Sequence, residues 1–228
     1  MSNEIPKVSV IVPVINEFEN LQKVVDFFQE AGQVELIVVD GGSTDKTGSI
    51  ASKFHHYIQT EKGRAIQMNA GAKVAQGDVL FFLHADCIPP KSWHMFAERV
   101  MENPKQFGSF RFAYNSKQAI LSWNSYLTRF PLLCFRGGDQ GLLVARETFL
   151  KVGGFDEAFV IMEDYEIIRR LRKKLQFLVF PESMTISDRK FSKNPFWKVV
   201  IAYWLTYWGF CLRIKPTLLH QFYCCIIR

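Results

Sequence analysis

Cysteine is scarce in this 228-residue chain, and the few cysteines form no known pattern. There are five, an odd number, and they are scattered without any Cys-x-x-Cys pair. Neither a disulfide framework nor a zinc site is therefore indicated. A reducing cytoplasm is the expected location.

The sequence also lacks a secretory signal, a membrane span and a dinucleotide fingerprint. Its first seven residues contain no basic segment followed by an apolar one, so no secretory leader is expected. The uncharged apolar run over 199–212 is shorter than the roughly 20 residues that a spanning helix needs. It predicts a buried or interfacial helix. Without Gly-x-Gly-x-x-Gly, an NAD-dependent dehydrogenase is disfavoured.

The composition is that of a folded domain with a moderate basic excess. Hydrophobic residues make up 48% of the chain and aromatic residues 14%, which is enough for a sizeable core and excludes overall disorder. The net charge of +6 suits anionic ligands such as nucleotides, phosphates or a membrane surface, and it does not require a nucleic-acid partner.

The first half of the chain alternates short β-branched runs with segments of helical period. This alternation predicts an α/β fold with a Rossmann-like, mostly parallel sheet flanked by helices. No linker or repeat interrupts it, so we expect one domain over 1–194 and a helical C-terminal region over 195–228. The predicted strands are 8–14, 34–39, 57–59, 79–83, 109–114 and 141–145, and the predicted helices are 19–31, 46–54, 64–75 and 118–130.

Polar residues follow three of the early predicted strands. Asn16 and Glu17 follow the first, Asp40 closes the second, and Asp86 lies just beyond the strand at 79–83. Ligands of open α/β sheets bind beyond the carboxyl ends of the strands, where such loops converge. The sequence therefore predicts a single site built from these loops.

Each acidic cluster has a functional and a structural interpretation. Asp40, followed by two glycines, can accept a hydrogen bond from a nucleobase, or it can cap its own turn. Asp86 can hold Mg²⁺ or Mn²⁺ against a diphosphate. Arg64 can contact phosphate or lie in solvent at a helix start. Glu163 and Asp164 favour the first turn of a helix electrostatically, yet their mutual repulsion can also raise one pKa toward that of a general base.

An ordered set of motifs over roughly residues 8 to 175 resembles the family 2 inverting glycosyltransferases. The motifs are 8–13 with Asn16-Glu17, 38–45, 64–77, the acidic strand end at Asp86, Gly153-Gly154-Phe155-Asp156-Glu157, and Glu163-Asp164. The resemblance implies a GT-A-type fold. It also implies transfer of a sugar from a nucleoside-diphosphate sugar to a hydroxyl acceptor, assisted by Mg or Mn.

The same resemblance implies a role for individual residues. Asp86 would bind the metal, Asp164 would deprotonate the acceptor hydroxyl, and Glu163 would support Asp164 or touch the acceptor. The nucleoside pocket and the path of the phosphates would be lined by Pro13, Glu17, Asp40, Ser43 and Arg64.

Two departures from the family pattern narrow the subgroup. The usual Asp-x-Asp is replaced by His84-Ala85-Asp86, as in a small non-processive subgroup. The Gln-x-x-Arg-Trp motif of processive members is replaced over 166–170. A processive polymer synthase is therefore disfavoured.

Three further residues are candidates for contacting the sugar or the acceptor. These are His84, Asp139 in the glycine-rich stretch 136–140, and Arg189 in the basic stretch 187–191. Asp139 could equally lie in a tight surface loop, and Arg189 in a solvated charged run.

The C-terminal region combines many aromatic residues with cations and contains no acid from Pro195 onward. This pattern suits a helix at the membrane interface, with a lipid-linked acceptor and a location on the cytoplasmic face of a membrane. It also suits a helix pair packed on the sheet or in a homodimer.

The donor base and the reaction class are not determined uniquely. Uracil, with one imide N–H, suits a lone Asp40 and favours UDP, while GDP and dTDP remain alternatives. A sugar-nucleotide pyrophosphorylase is the alternative enzyme class. It would have a glycine-rich, basic segment after the first strand, whereas residues 13–17 of this chain are Pro-Val-Ile-Asn-Glu. A degenerate transferase that only binds nucleotide or membrane is the non-enzymatic alternative.

Overall fold

A curled eight-stranded sheet forms the centre of the protein in a computed structural model that describes residues 7–31, 34–115, 119–187, 191 and 194–227. The strand order is β3-β2-β1-β4-β7-β6-β8-β5. The strands are β1 Val8–Val14, β2 Glu35–Asp40, β3 His56–Gln59, β4 Val79–Phe82, β5 Cys87–Ile88, β6 Gln106–Tyr114, β7 Leu142–Ala145 and β8 Gln176–Ile186.

Helices cover both faces of this sheet. The α-helices are α1 Phe18–Ala31, α2 Arg64–Val74, α3 Trp93–Glu102, α4 Ala119–Leu127, α5 Arg146–Lys151, α6 Glu163–Leu171, α7 Phe196–Cys211 and α8 Pro216–Ile226. Short 3₁₀ helices span Lys46–Lys53, Leu133–Phe135 and Gly138–Gln140.

The core has one apolar layer on each side of the sheet, which explains why β1 and β4 are nearly continuous apolar runs. Val10 and Val12 of β1 pack with residues of α1 and α3, whereas Ile11 packs with residues of α2 and α6 on the other face. Side chains alternate between the faces of a strand, so a strand covered on both sides needs apolar residues at every position. The predicted α/β fold is confirmed.

Parallel pairing brings the carboxyl ends of three strands to one edge. β1 pairs in parallel with β2, with Val14 opposite Asp40, and with β4, with Ile11 opposite Phe82. Pro13, which has no N–H, is tolerated inside β1 because the ladder with β4 has already ended at Ile11. The loops after β1, β2 and β4 therefore meet at the same edge.

The structure differs from the sequence prediction in several elements. The segment predicted as a helix over 46–54 is a 3₁₀ helix, and β6 begins at Gln106 rather than at 109. β7 is antiparallel to β4, a direction that its short apolar pattern could not specify. A two-residue strand, β5, precedes the helix that begins at Trp93.

The two C-terminal helices pack against each other and against the segment before α6. Phe210 and Leu219 form a small cluster with Met162, and a Cβ at Gly209 would lie only 2.3 Å from a methyl carbon of Leu219. Among the helices that the structure describes, none is both long enough and apolar enough to cross a bilayer. The division between 194 and 195 stays a prediction.

A buried carboxylate ties together the edge of the sheet opposite the strand-end loops. Glu35 accepts hydrogen bonds from the Ser9 hydroxyl (2.5 Å) and the Gln76 backbone N–H (2.8 Å), and it lies 3.2 Å from His56 Nε2. The Ser9 hydroxyl in turn accepts the Gly77 N–H. These bonds fix β1, β2, β3 and the turn before β4 relative to one another.

We expect Glu35→Ala to lower the free energy of unfolding by about 2–4 kcal/mol, because it leaves the buried Ser9 hydroxyl and the partly buried Gln76 N–H without their acceptor. Urea unfolding followed by circular dichroism measures the loss. Glu35→Gln, which keeps an oxygen acceptor, is the control and should lose far less. Equal losses in the two variants would contradict the assigned role of these bonds.

Candidate active site

The loops after β1 and β2 are held together by their own polar side chains. Asn16 lies in the left-handed region (φ 53°), and its side-chain oxygen accepts the Thr44 N–H at 2.8 Å. The Ser43 hydroxyl accepts the Asn16 N–H at 2.9 Å. A cavity of about 500 Å³ beside them is lined by Glu17, among other residues. These loops therefore form one preorganised wall.

Asp40 lies at the end of β2, with only 1% of its surface exposed. Its Oδ1 accepts hydrogen bonds from the Gly42 N–H, the Ser43 N–H and the Ser43 hydroxyl, so the capping interpretation is correct for this oxygen. Its Oδ2 accepts the Tyr57 hydroxyl at 2.5 Å. Burial and the neighbouring carboxylate raise the pKa of Tyr57 to about 12. Oδ2 therefore keeps capacity for one further donor.

Sequence reasoning missed Tyr57, and it also missed Gln67. The Gln67 side-chain amide, which is buried, donates to the carbonyl oxygens of Val14 (3.0 Å) and Val39 (2.8 Å) at the ends of β1 and β2. Its signal was a polar residue on the face of α2 that otherwise buries Ala65 and Met68. Gln67 therefore joins the ends of β1 and β2 through their carbonyl oxygens, the first of which also accepts the Gly41 N–H.

The end of β4 carries a cluster of possible metal ligands. One ligand atom from each of His84, Asp86 and Asp139 lies within 4.8 Å of the others. His84 Nδ1 is 3.3 Å from Asp139 Oδ1, and the buried His84 Nε2 has no hydrogen-bond partner in the described part of the chain. An imidazole with one unpartnered nitrogen and two neighbouring carboxylates form a donor set that fits Mn²⁺ or a similar divalent cation.

Asp139 reaches this cluster because of the direction of β7. Phe82 of β4 pairs with Leu142 of antiparallel β7, so the loop before β7 lies at the carboxyl end of β4. The contact is close: a Cβ at Gly138 would lie 2.1 Å from His84 Cε1 and 2.5 Å from Asp164 Oδ2. Only glycine fits this position, and the loop connects the His84 side of the site with Asp164.

Glu163 and Asp164 lie in the first turn of α6, as predicted. The helix follows Met162, whose left-handed backbone (φ 66°) turns the chain into it. Glu163 is buried, and its Oε1 lies 3.4 Å from the guanidinium of Arg64 on α2. Desolvation acts to lower the pKa of Arg64, but the charges of Glu163, Asp164 and Asp139 outweigh it and raise that pKa. Arg64 therefore stays a cation beside the acids.

Asp164 has the electrostatics of a general base. Burial and the adjacent charge of Glu163 raise its pKa to about 7, against the opposing effects of His84 and Arg64. A carboxyl group with this pKa is half ionised near neutrality and can accept a proton from a hydroxyl. Its position next to Gly138 aims this chemistry at the space between the metal-ligand cluster and α6.

The structure brings together most, but not all, of the residues singled out from the sequence. His84, Asp86, Asp139, Glu163, Asp164 and Arg64 form one cluster. Asp40, Ser43 and Glu17 line the neighbouring loops, and Pro13 lies buried in β1. Arg189 falls outside the described residues. The roles of these residues toward a ligand stay predictions.

The raised pKa of Asp164 predicts a cost in stability that grows with pH. A carboxyl group whose pKa is higher in the folded state supports folding fully below its unfolded value of 3.8, and this support is lost as the pH rises through about 7. In buffer with EDTA, the difference in urea midpoint between Asp164→Asn and the wild type should therefore be small near pH 4.5 and grow toward pH 8, where the variant unfolds at the higher urea concentration. An identical pH dependence in the two proteins would contradict the raised pKa.

Solved structures of similar fold are sugar-transfer enzymes. One is the mannosyltransferase PcManGT from Pyrobaculum calidifontis in complex with GDP-Man and Mn²⁺. The match covers 97% of this chain and 70% of the PcManGT chain, with a TM-score of 0.67 and 20% sequence identity. The glucosyl-3-phosphoglycerate synthase from Mycobacterium tuberculosis, in complex with Mn²⁺ and UDP, covers 88% of this chain and 79% of its own (TM-score 0.55, 18% identity). The fold is of the GT-A type.

Curated proteins of similar sequence are named as glycosyltransferases. The probable glycosyltransferase YdaM of Bacillus subtilis is 25% identical over 86% of this chain, and the glycosyltransferase AglE of Haloferax volcanii is 34% identical over 41% of it. The chain spans about half the length of YdaM (54%) and about a third of AglE (34%). "Glycosyl transferase family 2" matches residues 9–152, and "Glycosyltransferase like family 2" matches residues 112–210. The chain belongs to glycosyl transferase family 2.

Proposed function

We propose that the protein transfers a sugar, with inversion, from a UDP-sugar to a hydroxyl acceptor, with Asp164 as the general base and Mg²⁺ or Mn²⁺ at His84, Asp86 and Asp139. The observation that carries this proposal is the position of Asp164. Asp164 lies next to Gly138 in the loop before β7. The residue after Gly138 is Asp139, which completes the metal-ligand cluster. A base and a site for the leaving group thus face the same space.

The geometry suits an in-line displacement. The acceptor hydroxyl gives its proton to a carboxylate oxygen of Asp164 while its oxygen forms the bond to the anomeric carbon. The bond from that carbon to the diphosphate oxygen breaks, and the nucleoside diphosphate leaves with the electron pair. In such a displacement the acceptor oxygen attacks the carbon from the side opposite to the leaving group, so the configuration inverts.

The residues at the end of β4 fit a divalent cation. The buried Nε2 of His84, without a partner among the described residues, and the carboxylates of Asp86 and Asp139 supply one nitrogen and two oxygen donors. When bound, the cation would neutralise charge on the departing diphosphate. Arg64 supplies a fixed positive charge nearby and orients Glu163, which lies next to the base.

Asp40 supports uridine as the donor base. Three donors occupy its Oδ1, and within the described part of the chain Oδ2 accepts a hydrogen bond from the Tyr57 hydroxyl alone. One further donor therefore fits on Oδ2, which matches the single imide N–H of uracil better than the adjacent N–H groups of guanine.

A lipid-linked hydroxyl compound is the acceptor class that the surroundings of the site support best. Tyr165, which follows Asp164 in the sequence, packs against Tyr207 of α7 (ring centroids 5.8 Å apart). Tyr207 in turn contacts the exposed Trp204 and Trp208 of the same helix (ring centroids 6.1 Å apart in both pairs). An acceptor arriving at Asp164 along this helix would therefore meet apolar surface.

Asp164→Asn tests the base. We expect the variant to lose about 10²- to 10⁴-fold in transfer rate, because the amide cannot take the acceptor proton. It should keep its thermal shift with UDP and Mn²⁺. Asp78→Asn, an exposed acid at the opposite end of β4, is the matched control. Unchanged turnover in Asp164→Asn would remove Asp164 from the mechanism, and absence of turnover in the wild type with UDP-, GDP- and dTDP-sugars would favour a degenerate transferase.

Metal binding can be measured without turnover. Titration of Mn²⁺ followed by electron paramagnetic resonance should show weaker binding in Asp86→Ala and Asp139→Asn than in the wild type, because the first variant removes an oxygen ligand and the second replaces a charged carboxylate by a neutral amide. The thermal shift with UDP should depend on Mn²⁺ in the wild type and lose that dependence in Asp86→Ala. Asp78→Asn serves again as the control. Equal Mn²⁺ affinity in all four proteins would refute the site.

A further inference from the structure

We propose that the C-terminal hairpin, consisting of α7, α8 and the turn between them, docks on the surface of an anionic lipid bilayer. The inference deepens the proposed function only where it concerns the acceptor. The docking itself stands on the shape and charge of the hairpin.

α7 is apolar on all sides, although only one side is covered. Its inner face packs Val199, Ala202 and Phe210 into the protein. A stripe on the outer face stays exposed at the spacing of a helix: Trp197, Ile201, Trp204, Leu205, Trp208 and Leu212. Trp197 is 64% exposed, Trp208 56% and Leu212 74%. A helix that is hydrophobic all round is normally buried, so the outer stripe requires a partner.

The exposed surface continues onto the turn and onto α8. Leu212 and Ile214 are exposed between the two helices, and they alternate with the exposed cations Arg213 and Lys215. Leu218 and Phe222 add exposed apolar side chains on α8. Tryptophan with flanking cations is the pattern of a helix that lies in the interfacial plane of a membrane, its apolar side among the acyl chains.

Charge favours an anionic surface over a neutral one. Residues 189–228 contain seven of the 28 Lys and Arg and none of the 22 acids, so the first 188 residues hold 21 Lys and Arg against 22 acids. The whole positive excess of the chain therefore lies in its last 40 residues. Each such cation near an anionic bilayer contributes about 1 kcal/mol, or about fivefold in binding.

The same charges argue against a second copy of the chain as the occupant. In a symmetric dimer the same patch lies on both sides of the interface. Arg213 and Lys215 would then approach their own counterparts with no acid of residues 195–227 to pair with. A lipid surface supplies phosphate groups for the cations and an apolar phase for the tryptophans.

The hairpin is attached rigidly to the active site. Phe210 contacts Phe159 and Tyr165 (ring centroids 6.0 and 6.1 Å apart), and the guanidinium of Arg169 lies 4.4 Å from the Phe210 ring. Docking of the outer stripe would hold Asp164 close to the bilayer. If the proposed function holds, the acceptor hydroxyl then belongs to a molecule anchored in that bilayer.

Co-sedimentation with vesicles tests the docking without any enzymatic assay. We expect the full chain to bind vesicles containing roughly one third phosphatidylglycerol at least about tenfold more tightly than vesicles of phosphatidylcholine alone. This difference should shrink as salt is raised, because salt screens the cations.

Two sets of variants separate the apolar and the charged contributions. Trp204→Glu with Trp208→Glu should lower binding to both kinds of vesicle by more than about tenfold. Arg213→Ser with Lys215→Ser should lower binding about fivefold per charge to the anionic vesicles alone. Met95→Glu, at a single exposed apolar residue of α3 (58% exposed), is the matched control and should bind as the wild type does.

The thermal shift with UDP and Mn²⁺ is measured for every variant. It shows that each is folded, and it keeps a failure of docking distinct from a failure of the proposed function. Wild-type binding that equals that of the tryptophan variant would overturn the proposal. So would a concentration-dependent dimer, seen by light scattering, that does not bind vesicles and becomes a monomer in Trp208→Glu, because a second copy would then cover the stripe.

Discussion

The parallel pairing of β1 with β2 and β4 is the constraint on which the rest of the site depends. It requires strands that are apolar on both faces, since helices cover both sides of the sheet. It also brings the carboxyl ends of the three strands to one edge, where their polar loops meet. Once that edge exists, Gln67 and the Asn16–Ser43–Asp40 bonds complete it by satisfying backbone groups that the strands leave open.

The loop before β7 turns this edge into a candidate catalytic centre. Because β7 runs antiparallel to β4, the loop approaches His84 and passes beside Asp164 at a position where only glycine fits. Acids are thereby crowded into a partly buried space, and the pKa of Asp164 rises to about 7. The same crowding that suits proton transfer works against folding, and the apolar layers of the sheet must offset it.

The C-terminal hairpin relates the site to its surroundings. Its inner face packs on Tyr165, directly after Asp164, and its outer face is a stripe of tryptophan and leucine without acids. Because the exposed apolar face is packed rigidly against the segment that carries Asp164, whatever covers this face lies at a fixed position relative to Asp164. The orientation of the site relative to a surface is thus a property of the fold.

The sequence by itself determined what local periodicity and local charge can specify. The buried strands, the turn after Asp40 and the acids in the first turn of α6 follow from residues close together in the chain, and the order of the motifs identified the family. Tertiary structure alone decided that Asp139 meets His84 across 55 positions, that Tyr57 donates to Asp40, and which stripe of α7 stays exposed. These contacts depend on the placement and direction of β7, on the pairing of β3 with β2 and on the docking of α7. A short apolar run fits either strand direction, and an all-apolar helix fits any rotation about its axis, so periodicity could not decide them.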